Sequence, residues 1–255
     1  MGRTVFAALQ RAPKAQFSTE NNSVEGLFIV CEYGTVTNKT IFLFGGWGFG
    51  PSAYTPLIHF FVKLGLHCVL FIPRAALISE HVPFSLSVAA SKSALTEVRA
   101  NIKANPSAEF TVLGLSFGSL FAMKVARECR QVKKAILIAP FGDFSRHAEL
   151  WQQNRYFRKV WSSQPTTVED SAALLSSIGT TEQMHKLRGK EMLVFYSQDD
   201  EVMHGHVVAD FVKSLRRQHV AVEVREIGGS HIGGIVKTAF LHKKTMQSFL
   251  ERNSP

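Results

Sequence analysis

The chain has 255 residues, of which 45% are hydrophobic and 19% charged, and its 29 Lys and Arg against 20 Asp and Glu give a formal net charge of +9. That is the length of one large domain, with enough apolar residues for a core and too few charges for a disordered chain. No apolar run approaches the roughly 20 residues needed to span a bilayer. Three cysteines, Cys31, Cys68 and Cys129, form neither a paired framework nor a CxxC site, which excludes a disulfide-stapled scaffold and fits a reducing compartment.

Residues 1–14 carry Arg3, Arg11 and Lys14 and no acid, as a mitochondrial presequence does. Against that, Ala15–Thr19 and Leu27–Cys31 read as two strands joined by a polar turn through Asn21-Asn22-Ser23, and cleavage here would remove a strand. The expectation is a cytoplasmic protein, or a mitochondrial one if residues 1–14 form a targeting segment. Short apolar runs follow at Thr40–Phe44, Cys68–Ile72, Phe110–Leu113, Ala135–Ile138, Met192–Tyr196 and Val220–Val224. Between them lie amphipathic stretches at 52–65, 85–104, 117–130 and 204–217, and a last helix starts near 233. Strands apolar on both faces, each followed by a helix, predict an α/β fold. It has a mostly parallel sheet of about eight strands, an antiparallel N-terminal edge and helices on both faces, all within a single domain over 1–255. Residues 144–190 are too long for a simple connection and carry Trp151, Tyr156, Phe157 and Trp161 among arginines and lysine. They are expected to form a short helical lid, with Trp151 and Trp161 as substrate contacts; the plainer reading is a surface excursion whose aromatics pack its own helices.

Gly114-Leu115-Ser116-Phe117-Gly118 is a G-x-S-x-G run directly between a strand and a helix. There the serine sits on a sharp turn, the glycines let the turn close, and the hydroxyl projects from the carboxyl end of the sheet. A serine hydroxyl is a poor nucleophile at neutral pH without a base and an orienting acid. Two later loops, each after a strand, hold candidates: Gln198-Asp199-Asp200-Glu201 and Gly228-Gly229-Ser230-His231.

The order Ser…Asp…His, each at the end of its own strand, resembles the α/β-hydrolase superfamily over nearly the whole chain. In that family the acid loop reads roughly Gly-x-x-Asp-x-x-x-Pro. Ser197 takes the glycine position and His204 the proline position, so the resemblance implies Asp200 as the acid, with Asp199 as fallback and Asp143 as a distant third. His231 matches the catalytic histidine; the other histidines are read as surface or packing residues, His242 among them in mid-helix. Gly45-Gly46-Trp47-Gly48 is similar to the family's His-Gly-x-Gly. This implies an oxyanion hole from the backbone N–H groups of Trp47 and Phe117, with Gly46 approaching the substrate closely. Gly45 replaces the usual histidine, which should cost a supporting hydrogen bond and leave the donors in place.

The glycine loop is also partly dinucleotide-like, but Pro51 stands at the third glycine and Pro73-Arg74 where an acid should close the next strand. Asp199, Asp200, His204 and His206 could form a metal cluster, although a loop followed by a helix start explains them as well. The expectation is therefore neither cofactor nor metal. Basic residues are scattered along helices without a nucleic-acid motif, so nucleic acid is not an expected partner. The resemblance implies a serine hydrolase cleaving carboxylic esters or thioesters of small molecules through an acyl-enzyme. Its alternatives are an acyltransferase on the same residues, an esterase for acyl groups on an acidic or phosphate-bearing carrier, and a silent binding protein of the same fold.

Overall fold

A computed structural model of the chain describes residues 18–21, 28–47, 49–73, 85–142, 146–147, 150, 170, 173, 178 and 183–252. Eight strands form one sheet: β1 (Ser18–Asn21), β2 (Phe28–Tyr33), β3 (Lys39–Phe44), β4 (His67–Pro73), β5 (Glu109–Leu115), β6 (Val132–Ile138), β7 (Glu191–Tyr196) and β8 (Ala221–Glu226). Their order is β1-β2-β4-β3-β5-β6-β7-β8. β1 pairs antiparallel with β2, and β2 antiparallel with β4; every other pair is parallel. The helices are α1 (Thr55–Lys63), α2 (Ser85–Ala104), α3 (Gly118–Glu128), α4 (Gly205–Arg217), α5 (His231–Leu241) and α6 (Lys243–Glu251).

The apolar runs are buried on both sides because alternate side chains enter two separate cores. Phe42, Phe44, Val69, Phe71, Val112, Leu137 and Val194 meet α2, α3 and α4 through Val98, Phe121 and Val208. Ile41, Leu43, Leu70, Leu113, Ile136, Leu193 and Phe195 meet α1 and α6 through Leu57, Phe61, Met246 and Phe249. Three details depart from the sequence reading. β8 is a half-exposed edge with Glu223, Arg225 and Glu226 on it, rather than a strand apolar on both faces; edge charges discourage pairing with another chain. α1 is preceded by a 3-10 turn over Pro51–Tyr54 and starts three residues later than expected. The C-terminal helix is broken: His242 is the junction of α5 and α6, not a mid-helix residue. No proline or glycine marks that junction; its setting is tertiary, with the His242 ring 5.4 Å from that of Phe195. Most of the expected lid over 144–190, including Trp151 and Trp161, lies outside the described residues, as do Asp143 and Gly48; its described end holds a 3-10 turn over Met184–Leu187.

β3 sits between β4 and β5, so the chain leaves β3 toward one side and returns on the other. Such a reversal opens a crevice at the carboxyl ends of the strands. There, the residue just past each of β3, β5, β6 and β8 is pinned to a neighbouring strand. Gly45 N–H donates to Phe71 O (2.9 Å), Ser116 N–H to Ile138 O (2.8 Å), Ala139 N–H to Phe195 O (2.8 Å) and Ile227 N–H to Tyr196 O (2.8 Å).

Candidate active site

Ser116 follows the last residue of β5, and its φ is +48°, in the left-handed region that side chains disfavour. The two glycines around it are there for space. A Cβ on Gly114 would lie 2.5 Å from Ser119 Cα; one on Gly118 would lie 2.1 Å from Phe44 O and 2.6 Å from Gly45 O. α3 therefore starts hard against the end of β3, which a residue larger than glycine would prevent.

His231 is the first residue of α5, whose N-cap Ser230 accepts from Gly233 N–H. This cap fixes where the helix begins and so where the imidazole stands. Nε2 of His231 is 2.9 Å from Ser116 Oγ, and Nδ1 is 2.8 Å from Asp200 Oδ2. The backbone N–H of His231 donates to Glu201 Oε2 at 3.1 Å. The other carboxylate oxygen of Asp200 accepts N–H bonds from Val202 (2.8 Å) and Met203 (2.7 Å). Ser116, Asp200 and His231 are all buried, so the chain of polar groups is shielded from bulk water, and in such an interior hydrogen bonds are stronger and unpaired groups costlier. With both oxygens of Asp200 occupied, the carboxylate is fixed in orientation. Asp199 faces solvent and makes no such contact.

The two departures in the acid loop have structural uses. Ser197, at the position where the family has glycine, donates its hydroxyl to Gly229 O (2.7 Å) and accepts from Asp199 N–H (3.1 Å). It ties the acid loop to the histidine loop. His204 stands before α4, its carbonyl accepting from Val207 and Val208 N–H. Its ring lies 6.0 Å from that of His147, interplanar angle 23°. Burial first, and then the neighbouring His204, pushes the His147 pKa down to about 3. His204 is held below its ordinary value by burial and then by His206. Asp200 is committed to His231 and Asp199 to solvent, so the conceivable metal set is dispersed; among the described residues no three His, Cys, Asp or Glu side chains converge as a metal would require.

The loop after β3 lies against the serine. A Cβ on Gly46 would meet Leu115 O at 3.3 Å and Ser116 Cβ at 3.4 Å. The half-buried Trp47 packs edge-to-face on Phe117, ring centres 5.0 Å apart, and Phe117 continues into Phe121 and Phe141. Gly45 is explained by Tyr54, which sequence reasoning did not single out. A Cβ on Gly45 would come within 2.6 Å of the Tyr54 hydroxyl, which donates to Gly46 O at 3.4 Å. The buried phenol thus occupies the space beside Gly45 and supports the same loop. The bridging roles of Glu201 and Ser197 were also not foreseen; the only sequence signal was polar residues crowded into a loop between two buried elements.

No protein-family model and no curated protein sequence matches the chain. Solved structures do. An esterase of Pyrococcus furiosus superposes with a TM-score of 0.65 at 16% identity, covering 90% of this chain and 88% of that one. A thermostable carboxyl esterase of Bacillus coagulans gives 0.66 at 14%, covering 88% and 93%. An acylaminoacyl peptidase of Pyrococcus horikoshii gives 0.68 at 13%, covering 92% of this chain and 40% of that one.

Proposed function

The chain has the α/β-hydrolase fold of these neighbours, and from it we propose a serine hydrolase that cleaves carboxylic esters or thioesters of small molecules through an acyl-enzyme. One observation carries the reading: a strained serine, an imidazole and a carboxylate in hydrogen-bonded series at 2.9 and 2.8 Å. In this series Asp200 accepts from Nδ1–H of His231, leaving Nε2 as the acceptor for the Ser116 hydroxyl. Ser116 Oγ forms a bond to the acyl carbon while its proton passes to Nε2. The imidazolium so formed is stabilised by Asp200. The carbonyl oxygen becomes an oxyanion, held by the N–H groups of Phe117 and Trp47, the first at the start of α3 and the second on the loop that Gly46 brings against Ser116. Collapse breaks the bond to the leaving oxygen or sulfur, which takes the proton from Nε2. Water then gives its proton to Nε2 and attacks the acyl-serine, and Ser116 leaves with that proton. Trp47 is the aromatic wall that the acyl group meets.

The test is labelling by a fluorophosphonate probe together with turnover of p-nitrophenyl esters of graded chain length. The wild type labels and turns over, and Ser116→Ala loses both, by at least about 10³-fold in kcat, while its melting stays cooperative. Full labelling of Ser116→Ala would reject the assignment. The chain-length profile reads the depth of the acyl pocket.

A further inference from the structure

We propose that the outer face of α5 docks on an anionic lipid surface and so presents the rim of the site to acyl esters held in that layer. The link to esters rests on the hydrolase reading; the docking itself does not. Large apolar side chains exposed on a folded surface are informative when they cluster. Among the described residues five are strongly exposed, and four of them belong to α5: Ile232 (47%), Val236 (42%), Phe240 (46%) and Leu241 (74%). Ile232, Val236 and Phe240 are spaced four apart, so they form one stripe along the helix. The stripe starts at the residue next to His231 and runs away from the site along the same helix.

Charge decides what covers this face. After His231 the next acid in the chain is Glu251, and the interval holds Lys237, Lys243 and Lys244. α1, which packs against α5, contributes the exposed Lys63 and has no acid either. The Lys243 ammonium lies 5.6 Å from the Phe240 ring centre and 5.9 Å from that of Phe60, at the border of the apolar stripe. Along most of its length this apolar stripe is bordered by cations, the one acid near it being Glu201 at the His231 end, and such a face matches a lipid layer with anionic headgroups: the rings enter the acyl boundary and the ammonium groups stay at headgroup level. A second copy fits worse, because a two-fold contact sets this face against itself and brings the lysines of both copies together.

The test is flotation of the full chain with vesicles of phosphatidylcholine containing about 30 mol % phosphatidylglycerol at about 0.1 M salt. The wild type floats with these vesicles and far less with pure phosphatidylcholine. Val236→Ser/Phe240→Ser/Leu241→Ser lowers partitioning at least about tenfold without moving the melting temperature, since all three are exposed. Lys243→Gln/Lys244→Gln, or salt at about 0.5 M, lowers it by about the same factor. Ser116→Ala floats like wild type. The proposal is overturned if the wild type stays unbound, or if the triple serine variant floats undiminished. It is also overturned if the wild type self-associates without vesicles and the triple variant does not, which would assign the face to a second copy. Equal retention of wild type and triple variant on polyglutamate beads and vesicles alike would reduce the attraction to bare charge and reject it too. A wild type that floats but neither labels nor hydrolyses soluble esters would keep the docking and reject the hydrolase reading.

Discussion

Two ends of the same sheet bury polar groups for different ends. At the amino edge, Lys190 donates to Cys129 O at 3.0 Å and to Val132 O, and Lys134 donates to Leu250 O at 2.9 Å and to Arg252 O. Each ammonium ties separate pieces of chain by their carbonyls, and Lys134 thereby holds the last turn of α6. At the carboxyl edge, the buried groups are Ser116, His231 and Asp200, and the serine sits on a left-handed backbone. The first end spends buried charge on closure of the fold. The second holds a hydrogen-bonded series of side chains at a cost in backbone strain, which the surrounding packing offsets.

The largest expected effect that separates the ends is on turnover. Asp200→Asn lowers kcat by about 10³–10⁴ because the imidazole loses its orienting acceptor, whereas Asp199→Asn changes it less than about threefold. Ester hydrolysis by both variants measures this; equal losses would mean the acid is misassigned. Lys190→Met and Lys134→Met should leave kcat unchanged and lower only the melting temperature.

Next is the space behind the serine. Gly118→Ala puts a methyl 2.1 Å from a backbone oxygen and should cost more than about 2 kcal/mol by urea unfolding. Gly50→Ala meets nothing within 4 Å and has φ −76°, so it should stay within about 0.5 kcal/mol of wild type.

The pH dependence of stability should divide between the ends. His147, beside His204 near the carboxyl edge, is held near 3 by burial, below its ordinary 6.5, so the unfolded chain binds the extra proton. Its contribution is present above pH 6.5 and lost as pH falls toward 3. Lys190 is lowered by burial to about 8 from 10.5, and again the unfolded chain holds the extra proton. The penalty for burying its charge is complete below pH 8 and relieved as pH rises to 10.5. Urea titrations at a series of pH values check both. His147→Phe should flatten the acid limb alone, and Lys190→Met the alkaline rise alone; a variant that flattens both would erase the division.

The smallest effect isolates the strain. Ser116→Gly and Ser116→Ala both lose the hydroxyl, but glycine accepts φ +48° freely, so the glycine variant should be more stable by about 1 kcal/mol in thermal melts. Equal stabilities would show that the turn stores nothing.

Much of this was legible because it obeys short-range rules. The apolar runs of β3 to β7 and the strand–Gly-x-Ser-x-Gly–helix context are local, and they located the sheet and Ser116. Asp200 and His231 came from the resemblance of their loops to those of the hydrolase family; in space one Asp200 oxygen accepts two N–H bonds and the other faces the imidazole. What was illegible depends on distant partners. Nothing in the sequence tells that Tyr54 fills the space at Gly45, that Ser197 bridges to Gly229, or that the α5–α6 junction falls at His242 opposite Phe195. β8 misled because its valines suit either a central or an edge strand, and only the absence of a ninth strand beyond it, among the described residues, leaves it at the border.

The four amides that follow β3, β5, β6 and β8 each donate to a carbonyl on the strand next door. The start of each of these four loops is therefore tied across the sheet to its neighbour. Exchange of the Ser116 amide proton is therefore expected to follow the parting of β5 from β6 rather than local fraying. Under the hydrolase reading, slow opening at such a place would keep Ser116, Asp200 and His231 aligned from one turnover to the next.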